Sequence, residues 1–459
     1  MSNHFQQYNM HPLSESEHKL MVLFIFMVNK TRRGFTPEVI RTIMLKRGID
    51  EGLVNDLERF IENIASNLTN VSASTILDGL TAQGINGVFA QCAIHEIQIN
   101  NGHAFLQHMF LNIVQDMNCS VAAAGPEFFR INPSIPDAHA SAARITWITD
   151  HSDHLFNVWS QLSDQQSKDI FMELLRYTVS GPMHVRLSKN SPPYWQLWEK
   201  MATEVVTDVS EQQKKPELST GDLVFAKFPF REKFIHLLGP GGCIFQTFYM
   251  DQYYLQHANI CIKPKQGDHV VDAGSFVGET AIRFAIDVGP DGRIYSFEPV
   301  YEHIQCIKQN ASANALNNII ILPYGLSDVS HEAPPVVVGT VLMPEGCNMA
   351  FSIEQANNVG ITSIPMTVLD LLVQNGTIER VDFIKMDIEG AEMEALQGAK
   401  ETLRKFRPDL AVCIYHHPDH IYQIPEWIAN LDLGYHLYMD YYHHSGSDVV
   451  LYATVTPPF

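Results

Sequence analysis

The second half of the sequence predicts an α/β domain built on a doubly wound, largely parallel sheet. Short runs rich in β-branched and aromatic residues alternate there with helical patterns such as 302–315 and 391–403, and this alternation is typical of such a sheet. Only residues 440–448 join the last two runs, too few for a parallel crossover, so this pair is predicted to be antiparallel. The predicted strands are residues 269–272, 293–297, 318–322, 382–386, 410–415, 435–439 and 449–454.

A mainly α-helical region of unknown role, residues 1–215, is predicted to precede the α/β domain at 216–459. Apolar residues recur at three- and four-residue steps in 52–68, which indicates an amphipathic helix. A second helix is predicted from a capping box at Ser163 to a Ser-Gly-Pro stop that begins at Ser180. The 459 residues of the chain fit two or three domains.

Composition and charge limit the classes of function. Asp and Glu number 51 against 31 Lys and Arg, which gives a formal net charge of -20. Nucleic acids and anionic membranes attract cationic surfaces, so neither is an expected partner. The longest apolar run, residues 20–28, is too short for a bilayer, which requires about 20 residues. Seven scattered cysteines without a C-x-x-C pair favour reduced thiols, and we therefore expect a soluble cytoplasmic protein.

The strongest local signal is a turn after the first predicted strand. The segment HVVDAGSFVGET places Asp272 at the strand end, Gly274 in a tight turn and Gly278 at the start of a helix. Glycines at such positions let a ligand approach the backbone at the helix N-terminus. A dinucleotide-binding fingerprint would need glycine in place of Phe276 and Glu279, so a nicotinamide cofactor is disfavoured. An ordinary strand-to-helix turn is the alternative interpretation.

Three acidic residues follow two further predicted strands. Glu298 ends the strand at 293–297, where a carboxylate can accept both hydroxyl groups of a ribose. Asp387 and Glu389 follow the strand at 382–386, at the edge of the sheet where ligands bind in such folds. Acids there could orient a substrate hydroxyl, accept its proton or hold a divalent cation. For Glu298, a solvated acid at a strand end is the alternative.

Four ordered segments together resemble the FkbM-type family of S-adenosylmethionine-dependent methyltransferases. The resemblance covers about 240–456 and leaves 1–160 outside. It implies a Rossmann-like class I methyltransferase domain with S-adenosylmethionine as its cofactor. Phe276 departs from the methyltransferase class at large, which usually has glycine there. The matching segments are VVDAGSFVGETA (270–281), IYSFEP (294–299), LSD (326–328) and FIKMDIEGAEMEALQGA (383–399).

The resemblance also implies roles for individual residues. The first turn would line the methionine end of the cofactor, Glu298 would hold the ribose, and Ser327 with Asp328 would lie beside the adenine. Asp387 and Glu389 would face the transferred methyl group. The implied cofactor-binding residues are Asp272, Gly274, Ser275, Phe276, Gly278, Glu298, Pro299, Ser327, Asp328 and Asp387, and the implied catalytic residues are Asp387 and Glu389. His416 and His417 are further catalytic candidates because of their predicted position at a strand end.

A histidine-rich tail leaves three interpretations open. Six of the 21 histidines fall between 416 and 444. His416 and His417 are expected beside Asp387, and one of them could be the general base because imidazole titrates near neutral pH. Both could instead join Asp387 in holding a divalent metal, provided that the strand has ended before Pro418. Loop histidines that bond to the backbone are the third interpretation.

We therefore expect a methyltransferase that acts on a small-molecule acceptor, by O-methylation of a hydroxyl on a sugar or another molecule of natural-product biosynthesis. The acceptor oxygen must lie in line with the methyl group, and a base takes up its proton. N-methylation of a small molecule or peptide, and a non-catalytic cofactor-binding module, are the alternatives. Aromatic residues in 246–254 are expected either to cover the cofactor or to pack on the sheet. A homo-oligomer could form through the N-terminal helical region.

Overall fold

The structure is a computed structural model of the chain. The described residues are 147–180, 187–208, 223–333 and 364–458, with Val185 and scattered positions before 147. The helix predicted at 52–68 lies outside them. The chain divides into two compact units, Met1–Ser160 with Phe171–Leu187 and Gln161–Ile170 with Ser188–Phe459. The domain boundary at 215 and the helical N-terminal domain stay predictions.

The helices of the described residues are short. From Ser152 onward they are α1 Ser152–Gln161, α2 Gln165–Ser180, α3 Pro192–Glu204, α4 Gly241–Ile244, α5 Glu279–Val288, α6 Tyr301–Ala313, α7 Leu369–Gln374, α8 Glu392–Gln397, α9 Lys400–Phe406 and α10 His420–Ala429. A π-helical turn, Phe245–Tyr249, follows α4 directly. In the part of the chain that the structure describes, no helix combines the length and the apolar character needed to cross a membrane.

Most of the strands belong to one large sheet. The strands are β1 Val206–Asp208, β2 Val224–Phe230, β3 Lys233–Gly239, β4 Leu255–His257, β5 Ile260–Ile262, β6 His269–Ala273, β7 Arg293–Phe297, β8 Ile319–Leu322, β9 Gly325–Leu326, β10 His331–Ala333, β11 Ile364–Thr367, β12 Phe383–Met386, β13 Asp409–Cys413, β14 His436–Tyr441 and β15 Val449–Thr454. All seven predicted strands are present, with bounds that differ by at most two residues.

The large sheet has the order β14-β15-β13-β12-β6-β7-β8. The chain runs outward from β6 to β8 and then returns to β12 on the other side of β6, which is the doubly wound order. Strands β12 and β13 pair in parallel, whereas β15 is antiparallel to both of its neighbours, so the antiparallel last pair is confirmed. The carboxyl ends of β6, β7, β12, β13 and β14 therefore share one edge with the beginning of β15.

The capping prediction for α2 is corrected. The side chain of Asp164, not that of Ser163, accepts a hydrogen bond from the Ser167 N–H, at 2.8 Å. Ser163 pairs instead with Leu437 on β14, through its N–H to the Leu437 carbonyl at 2.8 Å and through its hydroxyl, which accepts the Leu437 N–H at 3.1 Å. An edge strand has unpaired backbone groups, and Ser163 satisfies two of them.

The helix predicted over 391–403 is also corrected, because the structure has two helices there, α8 and α9. Gly398 ends the first of them. A side chain at that position would clash with the carbonyl oxygen of Ser327. The approach of a second loop therefore interrupts the helix, and glycine permits the close contact.

Candidate active site

The turn after β6 is built from backbone with positive φ. Gly274 has φ +80°, Phe276 +47° and Gly278 +91°, and only glycine adopts such angles without strain. A Cβ on Gly274 would clash with the carbonyl of Asp387, so glycine lets the ends of β6 and β12 meet. Gly278 is the N-cap of α5. The predicted tight turn and helix start are confirmed.

Asp272 supports this turn from inside the domain. Its side chain is 0% exposed, with Oδ1 3.3 Å from the Lys385 ammonium and Oδ2 accepting the Thr280 hydroxyl at 2.8 Å. Ser275 is also fully buried and donates to the Asp272 carbonyl at 3.0 Å. Both side chains are buried within the turn, and their predicted place beside the cofactor stays a prediction.

Glu298 lies where it was predicted, at the end of β7. Its buried carboxylate accepts the Phe276 N–H at 2.9 Å through Oε2 and the Val300 N–H at 2.9 Å through Oε1. His303 Nδ1 lies 3.2 Å from the same Oε1. Oε2 accepts one hydrogen bond and has two lone pairs, which leaves room for a ligand hydroxyl.

The residues expected beside the adenine follow β9. Ser327 is buried, and its hydroxyl donates to the exposed Asp328 carboxylate at 3.1 Å. The Ser327 N–H bonds to the Thr367 carbonyl at 2.9 Å. Pro299, directly after Glu298, is half-buried. The nucleoside roles of these residues stay predictions.

Asp387 is held by several hydrogen-bond donors. The Tyr253 hydroxyl donates to its Oδ2 at 2.6 Å, and the Tyr415 hydroxyl donates to its Oδ1 at 3.4 Å. His416 Nε2 lies 3.4 Å from the same Oδ1. Tyr253 belongs to the aromatic segment 246–254, so one residue of that segment reaches the acids while Phe248 packs in the core. The orientation of Asp387 is thereby fixed.

His416 faces carboxylates through both ring nitrogens. Nδ1 lies 2.9 Å from Glu392 Oε1, and Nε2 lies 3.4 Å from Glu389 Oε2 as well as near Asp387. Burial disfavours the charged ring, but the facing Glu392 carboxylate outweighs this and raises the pKa of His416 to about 10. The imidazole is therefore a cation at neutral pH, with a proton on each nitrogen.

Glu392 is the centre of this cluster and was not predicted. Its fully buried carboxylate accepts the Ile388 N–H at 3.0 Å and lies 3.3 Å from His420 Nδ1. Burial alone would raise the pKa of Glu392, but the facing His416 lowers it far below the usual range. One ionised carboxylate thus ties the loop after β12 to the segment after β13.

Glu389 and Asp448 are the less tightly held acids. Glu389 has φ +58° and a side chain that is 39% exposed. Burial and the neighbouring carboxyl groups raise the pKa of Glu389 to about 7, against the opposing effect of His416. Asp448, in the loop between β14 and β15, accepts from the Gln246 side-chain amide. Burial and the nearby Asp387 raise the pKa of Asp448 to about 7.

The expected placement of His417 is corrected. His417 is exposed, and its Nδ1 accepts the Asp419 N–H at 3.2 Å, so it does not join His416 beside Asp387. Asp387, Glu392 and His416 lie close enough to surround an ion. Because His416 faces Glu392 as an ion pair, a divalent cation would have to displace a proton from the imidazole. The metal site stays a prediction.

The comparisons with known proteins identify the C-terminal region. Residues 271–437 match the family model of the methyltransferase FkbM domain. The match begins in β6 and ends in β14, so it contains the glycine turn, the acids after β12 and His416. Over these residues the chain is similar to the methyltransferase FkbM domain, and the resemblance carried by its motifs is confirmed.

Individual relatives are distant. The hexuronic acid methyltransferase AglP of Haloferax volcanii is 26% identical over 144 residues, which are 30% of this chain and 53% of the relative. The chain thus spans about half the length of the curated relative it matches. A methyltransferase FkbM from Methylobacillus flagellatus KT gives a TM-score of 0.40 at 16% identity, over 68% of this chain and 61% of that one. Fibrillarin of Aeropyrum pernix, with bound S-adenosyl-L-methionine, gives 0.26 at 15% identity, over 41% and 67%. At these scores neither structure informs the ligand or activity of this chain.

Proposed function

We propose that the C-terminal domain transfers the methyl group of S-adenosylmethionine to a hydroxyl group of a sugar or another small molecule. The arrangement of Asp387 and Glu389 carries this proposal. Asp387 is fixed by surrounding donors, whereas Glu389 is partly exposed beside it. A fixed acid next to a more accessible one suits the positioning and deprotonation of an acceptor hydroxyl.

The ends of β6 and β7 fit the proposed cofactor. The glycine turn presents backbone instead of side chains at this edge, and Glu298 has an oxygen with room for a ribose hydroxyl. When bound, S-adenosylmethionine supplies an electrophilic methyl group on a positively charged sulfur. A cationic group is favoured near the carboxyl groups at the neighbouring strand ends, which are those of Asp387, Glu389, Glu392 and Asp448.

Glu389 is the proposed general base. It receives one contact, from His416 Nε2 at 3.4 Å, whereas Asp387 receives three. With a pKa raised to about 7 by burial and neighbouring carboxyl groups, Glu389 is ionised in part at neutral pH and accepts a proton readily. Its carboxylate would take the hydroxyl proton as the acceptor oxygen attacks the methyl group.

His416 is proposed to position the two acids. Because both ring nitrogens face carboxylates, no nitrogen is left to take a proton from the acceptor. The cationic ring lies 3.4 Å from an oxygen of Asp387 and of Glu389 and offsets the repulsion between them. This arrangement favours a positioning role for His416 over the role of general base that the sequence left open.

The acceptor class is proposed from chemistry and from one relative. The relative AglP is named as a hexuronic acid methyltransferase, and a hexuronic acid is a sugar acid with several hydroxyl groups. The net charge of -20 supports a small-molecule acceptor over nucleic acid or an anionic membrane. Acceptor hydroxyls are uncharged, so a neutral part of a sugar can approach the acids without repulsion.

Turnover measurements test this function. Formation of S-adenosylhomocysteine is followed with neutral sugars, hexuronic acids and peptides, and mass spectrometry locates the methyl group. We expect an O-methylated sugar product and activity that rises as pH passes through about 7, because the base must be ionised.

A variant pair sharpens the test. Glu389→Gln should lower kcat by about 10²- to 10⁴-fold, the usual contribution of a general base, and should remove the pH-dependent rise. Glu394→Gln, on the exposed face of α8, is the matched control and should retain activity. Methylation of amines alone would replace the proposal with N-methylation. Cofactor binding without turnover on any acceptor would indicate a non-catalytic module, and full activity of Glu389→Gln would place the base elsewhere.

A further inference from the structure

Glu279 has a buried carboxyl group to which the proposed reaction assigns no role. It is the first residue of α5 and follows directly after Gly278. Its side chain is 8% exposed, and its Oε2 atom has no hydrogen-bond partner in the part of the chain that the structure describes. A buried polar oxygen without a partner is unfavourable, so a ligand that supplies a donor would relieve the penalty.

The neighbouring cation cannot serve Glu279. The Lys385 ammonium has three protons, and three acceptors surround it. It donates to the carbonyls of Ala273 at 3.1 Å and Gly274 at 2.7 Å, and it lies 3.3 Å from Asp272. Lys385 therefore maintains the turn and does not donate to Glu279 Oε2.

Charge around Glu279 favours a cationic ligand. Asp272 and Asp387 act on it with negative charge, and Lys385 is the positive group among its strongest electrostatic neighbours. Burial and the two aspartates therefore raise the pKa of Glu279 to about 8, with Lys385 acting in the opposite direction. With Glu279 ionised, three carboxylates surround one ammonium, and a bound ligand ammonium would offset part of this negative charge while it supplies hydrogen-bond donors.

We propose that Glu279 binds the α-ammonium group at the amino-acid end of the cofactor. This inference rests on the proposed function, because it takes S-adenosylmethionine as the ligand. It assigns recognition of the methionine end to Glu279 as well as to Asp272, whose Oδ2 accepts the Thr280 hydroxyl and whose Oδ1 lies 3.3 Å from the Lys385 ammonium. Glu279 makes contact with the cofactor and takes no part in proton transfer from the acceptor.

Calorimetric titration with two ligands tests the inference on the full chain. S-adenosylhomocysteine carries the α-ammonium, whereas 5′-methylthioadenosine shares its nucleoside and sulfur but lacks the amino-acid end. Glu279→Gln is isosteric and removes the charge. We expect its affinity for S-adenosylhomocysteine to fall about 10- to 100-fold, the range for a lost charge-assisted hydrogen bond, with its affinity for 5′-methylthioadenosine unchanged.

Proton release gives a second readout. To pair with an ammonium, a partly protonated Glu279 must ionise, so binding of S-adenosylhomocysteine near pH 8 should release a proton. Titrations in buffers with different heats of ionisation measure this release, which should vanish in Glu279→Gln. The other ionisable groups around Glu279 are Asp272, Asp387, Lys385 and the Cys243 thiol, and all of them remain in the variant.

The outcomes are distinguishable. Glu298→Gln is the control and should weaken both ligands by the same factor, because the ribose is common to them. Equal weakening of both ligands by Glu279→Gln would overturn the inference, since Glu279 would then support only the turn. Unchanged affinity for S-adenosylhomocysteine would also overturn it. If the unmodified protein binds neither ligand, the proposed cofactor is wrong, and the inference falls together with the proposed function.

Discussion

The candidate site lies at the edge of the sheet where the parallel strands end, and its two parts differ: one part is formed by the ends of β6 and β7 and the other by the ends of β12 and β13. At the ends of β6 and β7, backbone geometry dominates, because Gly274, Phe276 and Gly278 all have positive φ and Glu298 mainly accepts backbone N–H groups. At the ends of β12 and β13, charge dominates. There the Glu392 carboxylate and the His416 cation form a buried pair at 2.9 Å.

This difference predicts where a substitution should have a large effect on stability or activity. A turn that is defined by backbone tolerates side-chain changes, because its main hydrogen bonds remain. A buried ion pair does not, because removal of one partner leaves the other charge without compensation. We therefore expect large effects at the ends of β12 and β13 and smaller ones at the ends of β6 and β7, except at Asp272, which faces the buried Lys385 ammonium.

The largest effect is expected for Glu392→Ala. The substitution leaves the His416 cation buried and frees the Ile388 N–H, so the free energy of unfolding should fall by about 3–5 kcal/mol. Turnover should collapse as well, because Asp387 and Glu389 lose their common support. Urea denaturation and a turnover assay measure the two effects.

Glu394→Ala, on the exposed face of the same short helix, is the control and should change the unfolding free energy by less than about 0.5 kcal/mol. Similar values for the two variants would contradict the ion-pair account.

A second large effect is expected from pH. The pKa of His416 is raised to about 10 by Glu392 in the folded state, against a usual value of about 6.5. Its contribution to stability is fully present below pH 6.5 and is lost as pH rises toward 10. Above pH 8 the raised carboxyl groups of Glu389 and Asp448 are largely ionised, but Glu279, with a pKa of about 8, and the buried thiols of Cys243 and Cys413, whose pKa values are also raised, still contribute to the decline. Urea denaturation at several pH values should show the decline, and the part of it that His416→Gln removes reports on His416. An equal decline in the variant would assign it to another group.

Much of the fold could be predicted from sequence because its signals are local. The seven strands and the antiparallel last pair follow from β-rich runs and from the length of one connection. The corrected elements depend on long-range contacts instead. Gly398 interrupts a helical pattern because Ser327 approaches it, and Ser163 leaves the cap of α2 because an edge strand offers partners. Neither partner is adjacent in the sequence.

The site was predicted in part for the same reason. Asp387, Glu389 and His416 converge because parallel strands end at one edge, but the inward direction of Glu392 depends on the strained loop before it. The pairing of Asp272 with Lys385 was not predicted, although a signal was present. Lys385 lies within a buried strand, where a lysine needs an acid, and it pairs with Asp272 in the register of β12 against β6. Asp448 could have been found from the predicted antiparallel pair, whose loop must lie at this same edge.

A moderate effect is expected at Glu298. Glu298→Gln keeps the shape of the side chain but loses the charge, so the affinity for S-adenosylhomocysteine should fall about tenfold, the weakening expected from one charge-assisted hydrogen bond. Unfolding should change little, because the amide oxygen can still accept one backbone N–H. Calorimetry measures the first quantity and urea denaturation the second. Unchanged affinity would mean that Glu298 does not contact the ribose, and strong destabilisation would mean that charge matters in this half too.

The smallest effect is expected at Phe276, where the methyltransferase class usually has glycine. With φ +47°, Phe276 is strained, and its ring makes an edge contact with His303 at 4.6 Å. Phe276→Gly loses the ring and relieves the strain, whereas Phe276→Ala loses the ring and keeps the strain. Glycine should therefore be more stable than alanine here by about 1 kcal/mol, the reverse of their order in a helix. Urea denaturation of the two variants measures the difference. If the alanine variant proves more stable, the backbone at 276 is not left-handed. Backbone geometry would then not determine the structure at the ends of β6 and β7 in the way that charge does at the ends of β12 and β13.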